Sequence, residues 1–147
     1  GVRLQVIGDG SERSALETLT NQLGLRRFVT FTGLASRRQV RAAMWNTKAF
    51  VLPSRVETFG LVLAEALACG IPVVATRCGG PESFLRMPFG RVVPPDDVDA
   101  LAEAIAGVLS ASQLSSSKEG RDYAVTEFGP SAFRARIENI YHIARVH

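Results

Sequence analysis

The chain has 147 residues, with 17 Lys and Arg against 14 Asp and Glu and a formal charge of +3. Apolar residues make up 46% and charged residues 21%, a globular composition that excludes a disordered chain, a collagen-like repeat and a disulfide scaffold. The length fits one domain, able to bury roughly 68–70% of its unfolded surface, and the mild positive charge suits an anionic ligand without demanding nucleic acid. Cys69 and Cys78 stand in apolar or glycine-rich surroundings with no metal-ligand spacing, so they read as reduced thiols of a cytoplasmic protein. Ala66 to Thr76, the longest uncharged run, is broken by Gly70 and Pro72 and is too short to span a bilayer. No signal peptide precedes it. Gly1 falls directly before a strand-like run, as in a piece cut from a longer protein.

Taken in chain order, Val2 to Ile7 alternates as a strand and stops at Gly8-Asp9-Gly10. Leu16, Leu19 and Leu23 recur at helical spacing within Glu12 to Leu23, and Gly24 closes that helix. Phe28 to Phe31 reads as a second strand ended by Gly33. Ser36 and Gln39 have capping-box spacing and open a helix through Met44. Ala49 to Leu52 is a third short strand, stopped by Pro53-Ser54. Leu61 to Cys69 is a nearly all-apolar helix; Gly70 suits a left-handed cap and Pro72 prevents continuation. Strands over Pro72 to Ala75 and near Arg91 to Val93 flank the Gly79-Gly80-Pro81 turn. Helices follow over Val98 to Leu109, Lys118 to Thr126 and Ser131 to Val146, with a serine-rich loop or frayed end over Ser110 to Ser117. In the last helix Phe133, Ile137, Ile140, Tyr141 and Ala144 form one stripe, read as core with part of it exposed and available for self-association.

Short apolar strands alternating with helices imply a parallel sheet covered on both faces: a doubly wound, Rossmann-like α/β domain. Ligands of such sheets bind beyond the carboxyl ends of the strands. Those ends are Gly8-Asp9-Gly10, Thr32-Gly33, Pro53-Ser54-Arg55 and Arg77-Cys78-Gly79-Gly80.

Between Phe59 and Cys69 the one ionisable residue is Glu65. A carboxylate inside an apolar helix is costly to bury unless something satisfies it. Ligand hydroxyls would do so; a place at the solvent edge, or an internal arginine, is the alternative. Glu57 lies at a strand's carboxyl end, where it either reaches a polar ligand or favours the helix dipole. The amides of Phe59, Gly60 and Leu61 open that helix, and Gly60 allows close approach of an anion.

The run Ser54-Arg55-Val56-Glu57-Thr58-Phe59-Gly60-Leu61 through Glu65, Gly70, Pro72 and Val73 resembles the P-S-x-x-E-x-F-G-x-x-x-x-E-A-x-A-x-G-x-P-V stretch of retaining GT-B glycosyltransferases, the group 1 family typified by glycogen, sucrose and mannosyl transferases. Glu57 and Glu65 match its E-x7-E pair. The resemblance continues in Leu4–Gly10, in Phe28–Gly33, in the Gly79-Gly80-Pro81-Glu82 turn (shortened by about a residue against G-G-x-x-E) and in Gly90 to Asp97, and it covers most of residues 1–109 in order.

The resemblance implies a donor-binding lobe that serves transfer of a sugar, with retention, from a nucleoside diphosphate to a hydroxyl acceptor. By it Glu65 holds the ribose hydroxyls, and Glu57 is catalytic, lying near the transferred sugar. Thr58 and the amides of Phe59, Gly60 and Leu61 face the sugar and diphosphate, Ser54 belongs to the same donor loop, backbone from Val29 to Gly33 meets the base, and Gly8 and Gly10 pass near the cleft. The resemblance implies no metal or other cofactor, because positive side chains and a helix N-terminus offset the diphosphate charge.

The chain departs from a complete enzyme of that family. The acceptor-binding domain, an expected partner, is absent, and so is the strand-helix unit that opens the donor domain with its G-R…K-G motif. Residues 1–147 therefore read as a single donor-binding domain incomplete at its N-terminus, with residues 110–147 as its C-terminal helices. Losing two charged phosphate contacts at about 1.5–3 kcal/mol each turns a micromolar site into a millimolar one or worse, so the isolated chain is expected to bind weakly and not to catalyse.

Other readings fit less well. A dinucleotide fingerprint lacks its third glycine, since position 13 is Arg13, and no acidic residue ends the second strand. A Ser-His hydrolase lacks its nucleophile elbow, and His142 and His147 lie in the last helix. Zinc lacks ligands. Arg26, Arg27, Arg37, Arg38 and Arg41 read as a solvated face, with peripheral docking at the inner membrane surface or on a phosphorylated acceptor as the sharper reading; without interleaved aromatics they do not point to nucleic acid. An epimerase-like nucleotide-sugar domain and a non-catalytic binding module are the remaining alternatives.

Overall fold

The structure, a computed structural model, describes residues 1–86, 88–110 and 117–145. The elements are β1 (Leu4–Ile7), α1 (Arg13–Gln22), β2 (Val29–Gly33), α2 (Arg37–Trp45), β3 (Phe50–Leu52), α3 (Leu61–Ala68), β4 (Val73–Thr76), a 3-10 turn (Pro81–Ser83), β5 (Gly90–Val93), α4 (Val98–Ser110), α5 (Ser117–Phe128) and α6 (Pro130–Arg145). Each lies within a few residues of the boundary that the pattern predicts. The serine-rich positions 111–116, the last two residues and the His142 side chain lie outside the described residues.

The chain divides into two compact units, Gly1–Ala43 and Met44–His147. In the first, β1 and β2 run parallel, Leu4 opposite Val29 and Val6 opposite Phe31, with a register shift before Ile7 meets Gly33. Helix α1 joins them, and Gly24 beyond its end takes the left-handed conformation (φ +67°). The capping box at α2 forms as its spacing predicts: the Ser36 amide and hydroxyl both donate to Gln39 Oε1, at 2.8 and 2.7 Å, and the Gln39 amide donates back to Ser36 Oγ at 3.4 Å.

Helix α1 buries no residue. Its leucines stay partly exposed, Leu16 at 44% and Leu19 at 48%, and β1 is mostly exposed as well. Two short strands and their helices offer little apolar surface with which to enclose one another.

The second unit carries the core. Strands β3, β4 and β5 form a parallel sheet in that order, with Val51 opposite Val74 and Val74 opposite Arg91. All four residues of β4 are buried, as befits a central strand covered on both faces. Val74 clusters with Val93, Ala104 and Val108 against α4. By alternation Val73 and Ala75 face the other side, where α3, packed on β3, β4 and α5, buries Leu63, Ala64, Ala66 and Leu67. After α3, Gly70 adopts φ +77° and its amide bonds the Leu67 carbonyl at 2.8 Å, the left-handed stop that the sequence foretells.

The first unit thus holds a two-stranded parallel sheet, β1-β2, and the second a three-stranded one, β3-β4-β5. Of the α6 stripe, Phe133 and Tyr141 are each 67% exposed and Ile137 is 37% exposed, the partial exposure that the sequence leads one to expect. Among described residues α6 packs chiefly on α5, and one neighbouring helix does not cover a stripe of that length. The Ile140 and Ala144 side chains lie outside the described residues. The α/β class with parallel sheets and helices stands as predicted.

Candidate functional site

In the second unit, β3 ends at Leu52 and feeds the loop Pro53–Gly60. Buried Thr76, the last residue of β4, anchors that loop: its hydroxyl donates to the Ser54 carbonyl and reaches the Leu52 carbonyl at 3.4 Å. Arg55, well exposed, pairs with Asp96 beyond β5 at 3.0 Å through both Nε and a terminal nitrogen. An exposed pair of this kind contributes little to stability.

Glu57 is held by its backbone. Its amide donates to the Cys78 carbonyl at 3.2 Å, and its carbonyl accepts from the Gly80 amide at 2.7 Å, a one-residue parallel bridge between the Pro53–Gly60 loop and the turn after β4. The residue is half-buried, and among the described residues no hydrogen bond or ion pair engages its carboxylate. The glycines make this approach possible. A Cβ on Gly80 would lie 2.5 Å from Phe59 N and 2.6 Å from Phe59 C, distances that no packed structure tolerates.

Gly60 caps α3 in the left-handed conformation (φ +82°), and the Leu63 amide bonds its carbonyl at 2.8 Å. Among the described residues no protein acceptor meets the amides of Phe59, Gly60 and Leu61. These donors stand at the positive end of the helix dipole, a setting suited to an anion. The Phe59 ring faces inward: it stacks on Phe84 at 4.9 Å and meets Phe128 edge-on at 5.5 Å. The Tyr123 hydroxyl donates to the Phe84 carbonyl at 2.6 Å, and burial pushes that phenol's pKa up. Thr58 and Leu61 are exposed.

Glu65 is exposed while its helical neighbours Ala64 and Ala66 are buried. Of the alternatives open from sequence, a place at the solvent edge is the one found. No side chain among the described residues satisfies it, so its two oxygens are available to a ligand.

The first unit holds the other predicted positions. Gly8 (φ +136°) donates its amide to the Gly33 carbonyl at 2.9 Å. Gly10's amide donates to Asp9 Oδ1 at 2.9 Å. Gly33 is buried with φ +70°. Its missing Cβ would sit 3.1 Å from the Arg13 guanidinium, which pairs with Asp9 at 3.0 Å and Glu17 at 2.9 Å and has its pKa raised by Glu17 first and then by Asp9. Val29 opens β2, half-buried.

Sequence reasoning missed two supports of the site. Thr76 gave no signal beyond a hydroxyl ending an apolar strand. Glu82 had one, a carboxylate three residues after a glycine at a turn. Its oxygens accept from the Gly79 amide at 3.0 Å and the Cys78 amide at 3.2 Å. Hydrogen bonds from its own amide, Gly79 and Cys78, in that order, together with nearby Arg77, hold its pKa below the usual carboxylate value.

Residues 1–124 match the family described as glycosyl transferases group 1. The chain belongs to that family. It is 36% identical over 115 residues to the GDP-mannose-dependent alpha-(1-6)-phosphatidylinositol monomannoside mannosyltransferase of Mycolicibacterium smegmatis, a match covering 73% of this chain and 30% of that protein. It is 30% identical over 139 residues to the 2-deoxystreptamine N-acetyl-D-glucosaminyltransferase of Niallia circulans, covering 92% of this chain and 36% of that one. Among solved structures, the sucrose-phosphate synthase of Thermosynechococcus elongatus superposes with a TM-score of 0.81 at 31% identity, over 98% of this chain and 39% of that one. The chain thus spans about a third of the length of these curated relatives. Among the described residues no helix is long and apolar enough to cross a membrane, and no cluster of His, Cys, Asp and Glu side chains suits a metal ion.

Proposed function

We propose that residues 1–147 are most of the C-terminal, nucleotide-sugar-binding domain of a retaining GT-B glycosyltransferase. The observation that carries this is the pairing of Glu57, clamped by its backbone at the carboxyl ends of β3 and β4, with Glu65, an exposed carboxylate between buried Ala64 and Ala66 on α3. In this reading Glu65 accepts hydrogen bonds from the ribose hydroxyls, and the open amides of Phe59, Gly60 and Leu61 receive the diphosphate and sugar. Thr58 and Ser54 line the same loop. Glu57 touches the transferred sugar and offsets positive charge at its anomeric carbon. No metal takes part, since the helix N-terminus and basic side chains oppose the diphosphate charge.

Family membership supports this reading over an epimerase-like one. A relative named as GDP-mannose-dependent supports a nucleotide sugar as the donor class. The same relative's acceptor, a phosphatidylinositol monomannoside by its name, together with the basic residues of α2, supports a cytoplasmic protein that works at the inner membrane surface. The acceptor-binding domain is the partner that completes the reaction. This chain carries no match to the family's G-R…K-G motif, so alone it binds donor weakly and does not transfer. Purified chain incubated with UDP-glucose and with GDP-mannose should give no sugar transfer to glycerol, phosphatidylinositol or a glucan. Transfer by the chain alone would overturn this part of the proposal.

A further inference from the structure

We infer that Glu82 is a positioning residue, which sets Glu57 through the turn at 78–80; this deepens the donor-site reading and rests on it. The geometry is a chain of hydrogen bonds. The two oxygens of Glu82 take the amides of Cys78 and Gly79. The Gly79 amide and the Cys78 carbonyl belong to one peptide, so Glu82 fixes the very group whose carbonyl accepts the Glu57 amide; the amide of the next peptide, that of Gly80, donates to the Glu57 carbonyl. The Glu57 peptide is therefore gripped on both sides by a turn that one carboxylate holds in shape. Ser83 braces the far end, with its hydroxyl 2.6 Å from the Gly80 carbonyl. Gly79, at φ +119°, takes a conformation that a residue with a side chain would rarely adopt. Ionised carboxylates form stronger hydrogen bonds to amides than neutral acceptors do, so protonating or neutralising Glu82 loosens the grip without emptying the space it fills. Glu82 touches no substrate in this account; its effect reaches the donor through Glu57.

The charged group acting on Glu82 is Arg77, at the end of β4, which lowers the carboxyl's pKa. Two variants use this. Glu82→Gln removes the titration and keeps the shape. Arg77→Gln leaves the grip intact and moves the titration upward. The measurement is the pH dependence of backbone amide shifts in the labelled chain, in a Glu57→Gln background so that Glu57's own ionisation is silent. The expected result is one shared acid transition at the amides of Cys78, Gly79, Gly80, residue 57 and Phe59. Glu82→Gln should abolish it at all five, and Arg77→Gln should shift it upward at all five. Transitions confined to Cys78 and Gly79 would overturn the inference.

A second readout separates positioning from mere stability. With Glu57 in place, Glu82→Gln should weaken GDP-mannose or UDP-glucose binding about tenfold more than GDP or UDP binding, because Glu57 serves the sugar end. An equal loss for sugar-bearing and sugar-free nucleotides would overturn the inference. If the unaltered chain bound neither class, the donor reading itself would fail, and the shared amide transition would still decide whether Glu82 sets Glu57.

Discussion

Gly80→Ala should cost about 3 kcal/mol of stability or more, roughly 10 °C in melting temperature. The reason is steric and local. Gly80 lies at φ −75°, a conformation open to any residue, so alanine pays nothing in backbone strain. Its methyl would instead occupy the space of the Phe59 backbone, 2.5 Å from N. A flexible side chain would move aside, but a peptide bonded into the loop has nowhere to go. Either the 78–80 turn or the Glu57–Gly60 loop must retreat, and the bond from the Gly80 amide to Glu57 breaks with it. Gly10→Ala is the control, because a Cβ there meets nothing within 4 Å and its φ is not positive; it should change stability by less than about 0.5 kcal/mol. Thermal or urea unfolding of the two variants checks the contrast.

Leu67→Ala should cost about 3–4 kcal/mol, while Glu65→Gln two residues away should cost less than about 0.5 kcal/mol. Leu67 is 1% exposed and Leu63 is 0% exposed, both on the face of α3 that meets the sheet and α5. Truncating Leu67 removes its transfer energy and leaves a cavity in a wall with little room to collapse, since Ala64 and Ala66 beside it are already small. Glu65 makes no bond within the described residues, so neutralising it deprives the fold of nothing. The same helix is thus a structural beam on one side and, on the other, the surface proposed to take the ligand. Urea unfolding of both variants should show midpoints far apart, and matching midpoints would contradict this division.

The fold of the second unit was legible because its signals are local. The apolar run of α3 ends at Gly70, the strand of β4 at Thr76, and each boundary needs only the residues beside it. The two carboxylates were legible for the same reason, as charges in places where apolar residues surround them. What failed depended on what lies across from a segment. The leucines of α1 and Phe133 and Tyr141 of α6 carry the right spacing for burial, yet spacing cannot supply a partner surface, and they stay exposed. Thr76 and the Gly80–Phe59 contact escaped because each acts on residues 20 or more positions away through a backbone group, and a backbone group has no letter in the sequence; Glu82, by contrast, bonds amides only three and four positions away. In the notation of that sequence, Phe59 is a family consensus aromatic; in the structure its ring packs with Phe84 and Phe128, which also meet each other.

The central claim is the proposal that Glu65 and the α3 N-terminus receive a nucleoside diphosphate. Titrating UDP, GDP and ADP separately into the labelled chain at millimolar concentration, with Glu65→Gln as control, tests it most directly. The account predicts amide shifts centred on Glu65 and Phe59–Leu61 for at least one nucleotide, weakened in the Glu65→Gln chain although that chain unfolds at the same midpoint. Spectra unchanged by all three nucleotides, or shifts that survive Glu65→Gln in full, would contradict it.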